Sequence, residues 1–219
     1  QVVAGGAQTF QMRAETHAFA RVTSQPTCGW VREIQQVPEA DMTFGKIEFT
    51  ARNLRVMLKA SRNLLEDAPN INQLIEQQLA ASFAAEVDRA ALFGISAAGE
   101  PSGLTSDTAI NEVAVGGPLT GYDNIVDGYG LMLDDNAPDP TAAIMANREW
   151  LYFAKLKDGD GHPLPKPPVL ANVPLLPTTK ATAGTMLLGY YPDLYLGMLS
   201  NIRVELLREL YAQTHQFGF

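Results

Sequence analysis

One cysteine, three histidines and no long apolar run leave little room for the common catalytic and membrane readings of this 219-residue chain. Cys28 has no partner for an internal disulfide, and no CxxC or Cys/His cluster with zinc spacing occurs. It reads as a small apolar residue beside Gly29 and Trp30, and a lone thiol fits a reducing compartment. No stretch approaches the roughly 18 apolar residues of a spanning helix, and the first twenty residues lack a charged start followed by an apolar block. Neither a membrane span nor an export signal is expected. Positive charge is also scarce, with 16 Lys and Arg against 24 Asp and Glu and a formal net charge of −8. Such a surface is poorly suited to gripping phosphate backbones, so specific nucleic-acid binding is not expected.

Motifs that carry chemistry are missing as well. Ser24, Ser61, Ser96 and Ser102 show no GxSxG elbow. The Gly-rich stretch GISAAGEPSGL, Gly94 to Leu104, follows a helix and precedes no GK[ST], so it reads as a structural turn and not a phosphate cradle. Asp158, Gly159, Asp160 and Gly161 begin like a calcium loop. The next ligand positions hold His162, Pro163, Leu164 and Pro165, and no glutamate closes the loop, so a surface β-turn is the better account. His17, His162 and His215 lie in unrelated segments and read as surface or interface residues. Glu66 and Asp67 precede a helix, where negative charge favours the positive end of its dipole. No catalytic residue, cofactor or metal site is expected. The reading from another class is a soluble hydrolase using His162 with Asp158 or Asp160.

What the chain does have is a ribbon and a helix. Its 46% apolar content suffices for one large domain or two small ones. From Gln1 to Thr16 there is no periodicity, and Gly5-Gly6 suggests a mobile or partner-dependent arm. From Ala18 to Lys59 the pattern is extended. Phe44, Lys46, Glu48 and Thr50 share one side of a strand, while Ile47, Phe49 and Ala51 share the other. Beyond Asn53 the apolar set becomes Leu54, Val56 and Leu58, a parity switch that predicts a bulge or bend near Arg52 and Asn53. Pro38, Glu39, Ala40 and Asp41 offer the turn between the arms. A two-stranded ribbon is marginal in water without a third element over its apolar side. That element is expected to be another copy of the same protein.

The helix is expected over Asn70–Phe93, with Asn70 and Gln73 as a capping box, Pro69 before it and Gly94 as its stop. Ile71, Leu74, Ile75, Leu79, Phe83, Val87 and Ala90 form its apolar stripe. The second half reads α/β. Thr120 and Asp123 resemble a capping box for a helix to Leu133 that buries Tyr122, Ile125, Val126, Tyr129, Met132 and Leu133. Ala142–Ala146 is an apolar strand, after which Asn147 caps a helix that turns Trp150, Leu151 and Ala154 inward. Met186–Tyr190, Leu194–Leu199 and Ile202–Leu207 are expected as strands of one sheet.

The order of several motifs resembles the tailed-phage major capsid proteins of the Hong Kong 97-type fold. They are Trp30-Val31-Arg32-Glu33, PEADMTFGK from Pro38, KASRNLLEDAP from Lys59, FG followed by GEPSGL, and NREWLYFAKLKDGDG from Asn147. PLLPTTKATAGTM from Pro174 and IRVELLRE from Ile202 complete the series. The resemblance implies an α+β capsid fold in four parts. These are an N-terminal arm (1–20), an extended β-ribbon loop (21–51), a peripheral domain (52–118, spine helix 70–93) and an axial α/β domain (119–219). The C-terminal strand that returns to the peripheral domain is expected to be missing.

By the same resemblance the function is structural, that of a major capsid protein with no enzymatic activity. Pentamers and hexamers would close an icosahedral bacteriophage head around double-stranded DNA without binding it specifically. A portal protein, a maturation protease and an optional decoration protein are the implied partners. The implied place is the virion, assembled in the host bacterial cytoplasm, and encapsulin-like and gene-transfer-agent shells are the related alternatives. Trp30, Glu33, Phe44, Lys46, Ile47 and Phe49 are the candidate inter-subunit contacts. Lys46 occupies the position of the lysine that some members cross-link to an asparagine, whose position here falls near Gln213. The assisting glutamate would lie beyond Phe219.

Overall fold

The computed structural model describes residues 1–24, 30, 42–61, 70–116, 121–200, 202–207, 211 and 216–219. Its organising element is one long helix, α1 (Ile71–Phe93), whose two ends are buried in different places. At about 1.5 Å per residue, 23 residues reach roughly 35 Å. Near its start, Ile75 and Leu79 pack with Ala60 and Phe219. At its far end, Leu92 is fully buried among Val2, Ala7, Ala142, Ile144 and Tyr191. The apolar stripe is therefore not continuous: Leu74 and Val87, expected inward, are exposed. Alanine carries much of the middle, and its helix propensity keeps the strut helical where packing does not. The expected capping box is not formed, because Asn70 is itself in helical conformation and makes no side-chain cap.

Gly94 does end α1, but by close approach and not by left-handed geometry. Its backbone is extended, and a Cβ there would lie 2.2 Å from the Pro101 carbonyl oxygen and 2.4 Å from that of Ala90. The Gly-rich turn folds back here, with Gly103 N–H donating to Gly94 O at 2.9 Å. Arg89 bonds both Glu86 (2.6 Å) and Glu100 (2.7 Å), tying the same turn to the helix.

The main core lies around a three-stranded sheet. β5 (Ala142–Ala146) is central, parallel to β6 (Leu175–Thr178) and antiparallel to β7 (Met186–Gly189). Every β5 residue is buried, and alternation sends its side chains to two different clusters. Ala143 and Met145 pack with Tyr122, Ile125 and Phe153, from the helices α2 (Asp123–Asp134) and α3 (Asn147–Ala154) and the turn before α2. Ala142 and Ile144 face the end of α1 and the N-terminal turn. Two expectations about the helices fail. Leu133 is exposed on α2, and on α3 Trp150, Leu151 and Ala154 face outward, because α3 buries Glu149 and Phe153 instead. Neither Tyr122 nor Ala146, which precede the two helices, makes a side-chain cap, and Thr120 lies outside the described residues.

The N-terminal segment is docked and not free. Val2, Ala7 and Met12 are buried, Val2 N–H donates to Asp88, and Thr141 Oγ1 donates to Gly5 O at 2.9 Å. β1 (Gln8–Gln11) runs parallel to β8 (Tyr195–Met198). The strands expected as one sheet are thus divided: β7 joins β5, β8 joins β1, and 202–206 form no strand. The last described strand lies beside the segment that precedes α1. β9 (Gln216–Gly218) pairs antiparallel with β4 (Lys59–Ser61), and Gly218 also bridges Leu207.

Candidate assembly surface

β2 (Thr16–Ser24) and β3 (Thr43–Thr50) form an antiparallel ribbon, Thr16 opposite Thr50 and Val22 opposite Phe44, with a register shift between Val22 and Ser24. The shift sits there and not near Arg52 and Asn53, where β3 has simply ended; 52–57 form no strand, while Leu58 exchanges backbone hydrogen bonds with Phe219. Residues directly opposite share a face. His17, Phe19 and Arg21 with Gly45, Ile47 and Phe49 make one face; Ala18, Ala20 and Val22 with Phe44, Lys46 and Glu48 make the other. Gly45 is needed close to the partner strand, since a Cβ there would meet Thr23 Oγ1 at 2.9 Å.

Among the described residues, only the base of the ribbon is covered by its own chain. Phe10 of β1 meets Phe49 and Phe19 edge to face, each at a ring-centroid distance of 5.2 Å, and lies 5.9 Å from His17. Further along, Phe19, Val22, Ile47 and Phe44 are exposed, Phe44 to 68%. Trp30 is fully exposed. A soluble protein rarely leaves so many large apolar side chains in one projecting element unless something else covers them.

The sequence-derived contact candidates therefore divide. Phe44 and Ile47 project from opposite faces of the ribbon, and Phe49 is anchored on Phe10 at its base. Lys46 forms an ion pair with Glu48 on its own strand, both more than half exposed, so the pair contributes little to stability. Glu33, the Pro38–Asp41 turn, Gln213, Cys28, Glu66, Asp67 and His215 lie outside the described residues. Most of β2 falls in the extended run expected from Ala18, whereas Phe10 as its anchor was not expected.

The hydrolase reading finds a surface turn. Asp158 Oδ1 accepts N–H bonds from Asp160 (3.0 Å) and His162 (2.8 Å), and His162 Nδ1 lies 3.7 Å from Asp158 Oδ2, with both side chains exposed. Asp158, Asp160 and His162 bring ligand atoms within 4.8 Å of one another. The carboxylate's first role is to hold the turn, and this exposed group has no wall to exclude water from a reaction. No helix among the described residues is long and apolar enough to cross a membrane.

Comparison with known proteins places this architecture. A curated relative, the major capsid protein of Enterobacteria phage HK97, is 22% identical over 158 residues. That match covers 69% of this chain and 41% of the relative, so the chain spans about two fifths of the curated relative's length. A solved structure from Microbacterium phage Oxtober96 superposes with a TM-score of 0.78 at 19% identity, over 99% of this chain and 80% of that one. The capsid of an empty GTA particle gives 0.76 at 20% identity, over 99% and 82%. These structures show a shared Hong Kong 97-like fold, α+β with a long helix and several small sheets. The model of the Phage capsid family, whose members are structural proteins and not enzymes, matches residues 2–219, and the chain belongs to that family.

Proposed function

We propose that the protein is the major capsid subunit of a tailed double-stranded DNA bacteriophage, closing with copies of itself into an icosahedral head. The observation that carries this reading is the ribbon: anchored at its base by Phe10, it projects Phe19, Val22, Phe44 and Ile47 into solvent. Sheltered by neighbouring subunits on both faces of the ribbon, these side chains bury apolar area worth about 25 cal/mol per Å² before ordering costs. Trp30, Glu33, Phe44, Lys46, Ile47 and Phe49 are the proposed inter-subunit residues. Many modest contacts repeated under symmetry give a cooperative shell whose single contacts stay reversible during growth.

The four-part division is proposed along with this role: arm, ribbon loop, peripheral domain with α1, and axial domain around β5. A portal protein and a maturation protease are the further partners this reading brings, with a virion location and assembly in the host cytoplasm. The net charge of −8 suits a container that must let its DNA enter and leave. Lys46 is the residue to examine for cross-linking, and mature particles carrying that bond give ladders above monomer mass on boiled denaturing gels.

A gene-transfer-agent shell is the second reading, favoured by the likeness to the GTA capsid fold. Particle contents separate the two, as they separate both from a cargo-loaded cellular compartment. The test of the central proposal is deletion of Val37–Gly45 from the full-length protein, followed by electron microscopy. The deletion gives a folded, soluble subunit without shells; normal particles from it would refute the proposal.

A further inference from the structure

α3 presents an apparent inconsistency. It exposes Trp150, Leu151 and Tyr152 while burying the carboxylate of Glu149, whose relative exposure is 7%. Burying a carboxylate is costly unless its oxygens find partners. Phe153 in the core accounts for part of the direction α3 faces, and the burial of Glu149 is explained by what its carboxyl group holds.

It holds a turn. Glu149 Oε1 accepts the Gly184 N–H at 2.7 Å. Gly184 is the third residue of a four-residue turn closed by Thr185 N–H to Thr182 O at 3.1 Å, and its φ is +82°. A left-handed third residue is the mark of a type II turn. Such a turn differs from type I in the flip of its central peptide, here the one between Ala183 and Gly184. The N–H of that peptide is the one Glu149 accepts. Around the bond the segment from Thr179 to Thr185 is supported by little else: Lys180 N–H reaches Thr178 Oγ1 at 3.2 Å, and a Cβ on Gly184 would meet nothing within 4 Å.

We infer that Glu149 is a positioning residue, a latch that selects one orientation of the Ala183–Gly184 peptide and so fixes the β6–β7 turn against α3. Its second oxygen, Oε2, is buried with no hydrogen-bond partner among the described residues. A residue present only to fill the core would not be a carboxylate with an oxygen left unpaired, since a leucine there removes that cost. The latch has a second consequence. With Glu149 and Phe153 four residues apart fixing the inner face, Trp150 and Leu151 are held outward on the axial part of the subunit.

The test is amide hydrogen exchange on the full-length protein, which does not depend on whether shells form. Glu149→Ala speeds exchange at Gly184 by about tenfold, as expected for a lost hydrogen bond to a buried side-chain oxygen. Ile144 in β5 keeps its protection. Glu149→Gln retains an oxygen at the same reach and stays close to wild type at Gly184. Should Glu149→Ala not fold, Glu149→Asp, one methylene shorter, serves instead and speeds Gly184 selectively. Unchanged exchange at Gly184 in the Ala or Asp variant would overturn the inference. So would equal acceleration at Gly184 and Ile144, which is the signature of a residue that only supports the core.

Discussion

Phe10 and Phe49 meet edge to face, 5.2 Å between ring centroids and 83° between planes, and this contact joins the N-terminal strand to the base of the projecting ribbon. Phe19 completes the cluster at 5.2 Å from Phe10 and 5.6 Å from Phe49. Among the described residues the ribbon is thus fixed at its base, with Val22, Phe44 and Ile47 exposed further along. Phe10→Ala removes the shared member. It is expected to cost about 2 kcal/mol, combining lost area with lost aromatic pairing. Urea denaturation measures that cost, and limited proteolysis shows whether cutting shifts to β2 and β3.

The two buried ends of α1 lead to a contrast between leucines. Leu92 is fully buried between the N-terminal turn and β5, while Leu74 is about half exposed. Leu92→Ala is expected to cost about 2–5 kcal/mol, and Leu74→Ala within about 0.5 kcal/mol of nothing. Thermal unfolding of the two variants side by side checks the difference. A loss at Leu74 as large as that at Leu92 would mean the stripe is continuous after all.

Arg89, Glu86 and Glu100 give a pH dependence of known sign. The Arg89 hydrogen bond holds the Glu86 carboxyl below its ordinary value of 4.5, and the same guanidinium, helped by the Ile95 N–H, does so for Glu100. Carboxyls depressed on folding add stability that is fully present above the ordinary value and is lost as pH falls through the lowered ones. Arg89→Met therefore lowers the melting temperature by a small, constant amount above the ordinary carboxyl value, and the gap closes as pH falls through the lowered ones. All three side chains are about one third exposed, so the effect is small and weakens with added salt. A gap that widens toward acid would contradict the assignment.

Much of the fold was legible because its signals were local. The long helix, its glycine stop and the apolar β5 each announce themselves within one window of sequence. What was not legible depended on distant partners. The N-terminal segment lacks periodicity because Val2, Ala7 and Met12 are fixed by burial at separate points and not by a shared face. β8 resembles β7 in composition, yet it pairs with a strand more than 180 residues earlier in the chain. α3 misled through its own composition: Trp150 and Leu151 are the natural inward choices, and the burial of Phe153 with the bond from Gly184 to Glu149 shows why the helix is turned the other way. For the ribbon, alternation identified Ile47 and Phe49 but could not say that Phe10 covers one and leaves the other bare.

The central question is whether the exposed Val22, Phe44 and Ile47 of the ribbon are sheltered by sister molecules. Sedimentation velocity of the purified full-length protein over a concentration series tests this directly. Such shelter predicts a threshold above which subunits pass into closed particles in the megadalton range, with Phe44→Ser and Ile47→Ser together raising that threshold or abolishing it. A single species of one-subunit mass at every concentration, unchanged by those two substitutions, would contradict it.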